Sequence, residues 1–177
     1  MLSIIKLDNP TLRQPSSLVA NLQDESIQQL IDDLIATAIN ANGVGIAAPQ
    51  VAASCRLFIV ASRPNQRYPN APNMEPTAMI NPKIINHSPE IVKDWEGCLS
   101  VPGVRGLVPR YKSVNVEYTD RDGNLINQEL TDFIARIFQH EYDHLDGILF
   151  IDRVETNQDL ISEEEYNKLQ NSNSESS

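Results

Sequence analysis

The segment "QHEYDHLDG", residues 139–147, sets His140 and His144 four positions apart with Glu141 between them. On an α-helix, residues at that spacing differ by about 40° in direction and about 6 Å in height, so both imidazoles face the same way and can grip one cation. Glu141 points about 100° from His140 and about 60° from His144. It flanks the pair without joining it, and from there it can reach a water held by the ion, where a general base belongs. Two imidazoles do not make a catalytic zinc or iron site, so a third protein ligand has to come from elsewhere in the chain.

Zinc peptidases that continue the motif with a third histidine would need one at position 150, where this chain has Phe150. Others use a glutamate further on, and Glu163, Glu164 and Glu165 follow in an acidic run. His87, in "INHSPE", sits among turn residues and reads first as an exposed loop histidine. Cys98, in "DWEGCLSVPG", is the better candidate, because a thiolate binds zinc or ferrous iron strongly and Gly97 lets the backbone approach a ligand closely. Standing alone, Cys98 would read equally well as an inert buried thiol. A third stretch, "GVGIAAPQ" at residues 43–50, adds two glycines and then Gln50, whose amide can donate to an oxyanion. Taken alone, Gly43 is also what an ordinary helix cap looks like.

The elements that must hold these groups are legible in part. Ile27, Leu30, Ile31, Leu34, Ile35, Ala38 and Ile39 fall at helical spacing behind Asp24 as N-cap, predicting a helix over 24–42 that Gly43 ends. A second helix is predicted from Thr131 or Asp132, carrying Phe133, Ile134, Ile137, Phe138 and Leu145 to a stop at Gly147. His140 and His144 extend its apolar stripe and so face the interior, where an unpaired imidazole is costly. Strands are predicted at "RLFIVAS" (56–62), at "AMINPKII" (78–85) and in "SVNVEYTDRDGNLINQEL" (113–130), with Asp122 and Gly123 at a hairpin turn. The proline-rich residues 63–76 read as a surface loop. In the tail, Ser162 and Glu165 form a capping box for a short helix, followed by a polar, disordered end. Strands combined with two main helices suggest an α+β domain.

The chain has 177 residues, 41% of them apolar, which suits a single domain with a substantial core. Its net charge of −10 argues against a surface built for nucleic acid or anionic lipid. No apolar run approaches the roughly 20 residues needed to span a bilayer. The opening "MLSIIKLDNP" has neither a secretory leader nor a transit-peptide composition, so the chain reads as a cytoplasmic, bacterial-type protein rather than a mature organelle form. Cys55 and Cys98 are too few for a disulfide scaffold.

In order, "GVGIAAPQ", "EGCLS" and "QHEYDHLDG" resemble the three signature motifs of the peptide deformylases, which remove the formyl group from the initiator methionine of new polypeptides. The likeness extends through "IIKLDNPTLR", "GVRGLVPRY" and "DRDGN", so it implies one catalytic domain over residues 1–152 and leaves 153–177 as a tail. It also implies an α+β fold with mixed or antiparallel sheets around a central helix carrying HExxH. By resemblance, Cys98, His140 and His144 hold one metal ion, usually iron, Fe(2+), with Zn(2+), Ni(2+) or Co(2+) as substitutes and water in the fourth place. Glu141 is then the general base and acid, and Gln50 with the backbone N–H of Leu99 holds the oxyanion. Gly45 is similar to the residue that pairs with the substrate backbone, and Glu96 with Arg105 looks like the ion pair that supports the site. Val44, Phe133, Ile137 and the His140 ring would line the methionine pocket, with Arg105 among the substrate-binding residues. The implied partners are N-formylmethionyl nascent peptides and a transient ribosome contact, for which this acidic tail offers no basic helix. Two positions depart from the family pattern. Arg136 replaces a frequent aliphatic residue, so either its stem lines the pocket or the pocket is more polar. Pro49 replaces a frequent threonine while Gln50 is retained. Two rival readings remain, a zinc endopeptidase with a metal independent of Cys98, and a closed structural metal module with His87 as fourth ligand.

Overall fold

In the computed structural model, which describes residues 2–175, Asp24 caps the first helix as its sequence predicts. Its carboxylate accepts from the Ser26 N–H at 2.9 Å, and α1 runs Glu25–Asn40. The end differs from expectation. Asn42, not Gly43, takes the left-handed conformation, with φ of 57°. Gly43 is needed for another reason, since a Cβ there would lie 2.9 Å from Leu99 Cδ1.

Five strands, β1 (Gly45–Ala47), β2 (Leu57–Val60), β3 (Thr77–His87), β6 (Ser113–Thr119) and β7 (Leu125–Thr131), form an antiparallel sheet in that order. The apolar run of β2 is buried throughout because both faces of the sheet are covered. Leu57 and Ile59 pack with Ile31, Leu34 and Ala38 of α1, while Phe58 and Val60 pack with α2 (Asp132–Leu145). Phe58 and Phe138 meet edge to face at 5.1 Å, worth about 0.5–1.5 kcal/mol beyond the area they bury.

The second sheet escapes the sequence patterns. It has the antiparallel order β4 (Ile91–Cys98), β5 (Val101–Tyr111), β8 (Leu160–Ser162). β4 opens with four exposed residues, and β5 contains two prolines and two glycines, so neither shows the alternation that marks a half-buried strand. Val101, Val108, Leu149 and Phe150 form the local core. α2 is wedged between the two sheets, and its motif therefore lies at the centre of the α+β fold. Gly147 closes it with φ of 76°, at a point where a Cβ would meet the Arg13 carbonyl oxygen at 2.5 Å.

The tail is more ordered than its composition suggests. Ser162 Oγ accepts from the Glu165 N–H at 3.1 Å, the predicted cap, but α3 then runs Glu163–Glu175 through the polar stretch expected to be disordered. Residues 176–177 lie outside the described residues. β8 ties this segment to β5 by pairing Ser162 with Val104 and Leu160 with Gly106. No helix among the described residues is long and apolar enough to cross a membrane.

Candidate metal centre and substrate cavity

Cys98 arrives at the centre of the fold on the last residue of β4, and the two histidines arrive on successive turns of α2. One donor atom from each of Cys98, His140 and His144 lies within 4.8 Å of the others. Cys98 Sγ is 3.4 Å from His144 Nε2, close to the roughly 3.5 Å expected between a thiolate and an imidazole on one tetrahedral ion. Of the His, Cys, Asp and Glu side chains among the described residues, no other joins this group. His87 is exposed, stacked on Tyr111 at 3.7 Å, and Glu163 is engaged with Arg105, so neither rival ligand set assembles.

His140 Nδ1 is 2.8 Å from Glu96 Oε1. A proton on Nδ1 satisfies that contact and leaves Nε2 free to donate a lone pair, the arrangement that orients ligating imidazoles. Burial alone would push the Cys98 thiol up, but His144 and His140 beside it overcome that and hold it well below its ordinary value. Burial works against a charged His140 too, yet contacts with Cys98, Glu96 and Glu141 hold its pKa well above the usual imidazole range. A thiolate held in its charged form beside two buried imidazoles is a donor set that fits a soft or borderline divalent metal.

Glu141 is buried, and burial raises its pKa to about 7 against the opposing pull of His140 and His144. Its Oε2 is buried with no hydrogen-bond partner among the described residues, as is His144 Nδ1. Glu141 Oε1 lies 3.9 Å from His140 Nε2, so the carboxyl flanks the donor group without entering it. Gly45 allows this: a Cβ there would come within 3.2 Å of Glu141 Cδ and 2.9 Å of Ile137 Cγ2. Gln50 is aimed by its own turn. Its Oε1 accepts from the Ala47 N–H at 2.9 Å, which directs Nε2 toward Ser100 Oγ at 3.1 Å and Cys98 Sγ at 3.6 Å.

These groups border one cavity of about 460 Å³, counted with its open mouth. Of the residues named from the sequence, Val44, Gly45, Gln50, Cys98, Leu99, Phe133, Ile137, His140 and Glu141 line it, and His144 is buried behind. Arg105 does not. The expected Glu96–Arg105 pair is also absent: Arg105 forks Glu163 at 2.9 and 3.0 Å, while Glu96 is forked by Arg110 at 2.9 and 3.0 Å and held by Arg136 at 2.6 Å. Strand alternation gives the reason. Glu96 lies opposite Gly106 across the β4–β5 ladder, so Arg110, an even number of residues on, shares its face and Arg105 takes the other. Arg136 is among the residues that line the cavity, and its guanidinium bonds Glu96 and the Val108 and Val92 carbonyls.

Sequence reasoning missed Ser100, Arg110, Asp143, Trp95, and Arg67 and Tyr68 of the loop between β2 and β3. Tyr68 accepts the Gly97 N–H at 3.3 Å and packs on Phe133 at 5.4 Å, so the proline-rich loop forms a wall of the cavity. Its composition carries no sign of that.

Fold and site together give an α+β scaffold in which Cys98, His140 and His144 form a buried group that could hold one metal ion, with a buried carboxyl beside it. The family model for polypeptide deformylase matches residues 1–159, and the chain belongs to that family of formyl-removing hydrolases. It is 72% identical over 169 residues to Peptide deformylase 2 of Nostoc sp., covering 96% of this chain and 94% of that protein. It is 51% identical over 130 residues to Peptide deformylase 2 of Shewanella oneidensis, covering 73% and 72%. The class I type b peptide deformylase of Acinetobacter baumannii, solved with Met-Ala-Ser bound, superposes with a TM-score of 0.84 at 46% identity, over 87% of this chain and 98% of that one. The peptide deformylase of Synechococcus elongatus, solved with actinonin, gives 0.79 at 36%, over 89% and 81%.

Proposed function

We propose that Cys98, His140, His144, Glu141 and Gln50 carry out the deformylation that family membership gives this enzyme, the hydrolytic removal of the N-formyl group from nascent polypeptides beginning with formylmethionine. One observation carries the assignment of roles: the donor group, an unpartnered buried carboxyl and a directed amide converge at one end of a largely apolar cavity. A divalent ion on Cys98, His140 and His144, which we assign as Fe(2+) with Zn(2+), Ni(2+) or Co(2+) as substitutes, would supply Lewis-acid polarisation of the formyl oxygen and a more acidic water.

The chain's own residues do the rest. Val44, Phe133, Ile137 and the stem of Arg136 receive the unbranched methionine side chain. β1 is the outer strand of its sheet, so an extended substrate can align beside Gly45. Gln50 Nε2 and the Leu99 N–H donate to the oxygen of the formyl group as it gains charge. Glu141, poised near neutrality, takes a proton from the attacking water and returns it to the departing amine. Products are formate and a free N-terminus. A substrate met on newly made chains supports a cytoplasmic, bacterial-type location for the enzyme. The first turn of α3 is acidic and lends no support to a ribosome contact through this helix.

The test is release of free amine from an N-formyl-methionyl peptide by protein purified without oxygen, beside an N-acetylated control. Turnover of the formyl peptide alone is expected. Equal turnover of both, or none in protein holding one ion per chain, would overturn the assignment.

A further inference from the structure

Arg105 has left the partner expected of it, and its surroundings give it another task. It is 1% exposed, and Glu163 at the start of α3 is its carboxylate partner. Its guanidinium lies between two aromatic rings, 4.4 Å from the centroid of Tyr166 on α3 and 5.0 Å from that of Tyr68 on the cavity wall. Tyr166 also meets Trp95, another wall residue, at 6.1 Å, and β8 pairs directly with Arg105 through Ile161. Tyr68 in turn accepts from the Gly97 N–H, next to Cys98. A continuous set of contacts therefore runs from the C-terminal segment to the wall that faces substrate.

We propose that the C-terminal segment, β8 with the first turns of α3, is a positioning element for the substrate wall, holding Tyr68 and its loop in place through Arg105. The proposal rests on the reading that this cavity receives the substrate's first side chain. The loop 61–76 has no strand or helix of its own, so its position over the cavity depends on such anchors. Without Glu163 the Arg105 cation would be buried and unpaired, and without Tyr166 one face of the stack would be empty. Either change lets Tyr68 move away from Phe133 and widens the wall, which affects substrate capture more than the chemical step.

The experiment uses full-length metal-loaded protein, with Tyr166→Leu, Glu163→Gln and the exposed control Glu164→Gln, assayed on N-formyl-Met-Ala-Ser well below Tm. We expect KM to rise about five- to tenfold in the first two variants, kcat and metal content to stay within about twofold, and the control to match the wild type. Trp95 is the single tryptophan, and its emission should shift in Glu163→Gln, because Glu163 holds Arg105 against Tyr166, whose ring meets Trp95. Unchanged KM and emission, a fall in Tm alone, or an equal KM change in Glu164→Gln would overturn the proposal. A wild type that fails to deformylate would sink the functional reading instead, while the Trp95 comparison would still judge the clamp.

Discussion

α2 carries two buried polar clusters, and they differ in how far their atoms are satisfied. On one side, Arg110 forks Glu96 and reaches Asp143 at 2.6 Å, Arg153 closes on Asp143 at 2.9 Å, and Arg136 spans Glu96 and two strand carbonyls. Gln139 stitches the same side to the backbone of Tyr111 at 3.0 and 2.9 Å. Glu96 is held well below the ordinary carboxylate range: burial would raise it, but Arg110 and the His140 contact overcome that. On the other side, Glu141 Oε2 and His144 Nδ1 are buried without hydrogen-bond partners among the described residues. The first cluster is saturated and joins helix to sheet. The second keeps polar capacity in hand, which costs stability and is what a site needs for binding and proton transfer. His140 is the hinge between them, with Nδ1 facing Glu96 and Nε2 facing the donor group.

The sharpest way to break this division is to remove a donor. Cys98→Ser should lose metal and deformylase activity together, to background, by metal analysis and peptide assay. A chelator should lower the Tm of the loaded wild type and leave that of Cys98→Ser unchanged. Glu141→Ala should keep its metal and lose turnover by about 10²–10⁴-fold, with Tm unchanged or raised because an unpartnered carboxyl has gone; normal turnover in this variant would sink the mechanism.

The saturated side should respond in the opposite manner. Arg110→Leu leaves Glu96 and Asp143 each short of a guanidinium and should cost about 3–5 kcal/mol of stability, read by urea unfolding of metal-free protein. A cost as small as that of a surface change would show that this cluster is not what joins α2 to β5. At the low end, His87→Ala removes an exposed ring from Tyr111 and should change neither metal content nor activity, with stability within about 0.5 kcal/mol. Loss of metal there would revive a four-ligand structural site.

Much of the candidate site could be read before any coordinates because its chemistry depends on residue type and local spacing. His140 and His144 face together by helix geometry alone, Asp24 caps α1 by the same short-range logic, and Asp122 with Gly123 marks its turn. β4 and β5 were hidden because exposed charge, prolines and glycines mask their alternation, yet they deliver Cys98. Arg105 and Arg110 show the limit most clearly. Both stand in one stretch, and only the register of β4 against β5 decides which of them meets Glu96.

The sequence by itself determined the donor types, the helix that presents two of them and the carboxyl between, since each follows from covalent order and a repeat of a few residues. Only the tertiary structure decided that Cys98 closes on that helix, that Glu96 is shared by two arginines and an imidazole, and that a proline-rich loop and the C-terminal segment complete the cavity wall. Those contacts join residues far apart in the chain, and their energies depend on burial and on which face of a strand looks inward, neither of which exists until the sheets have paired.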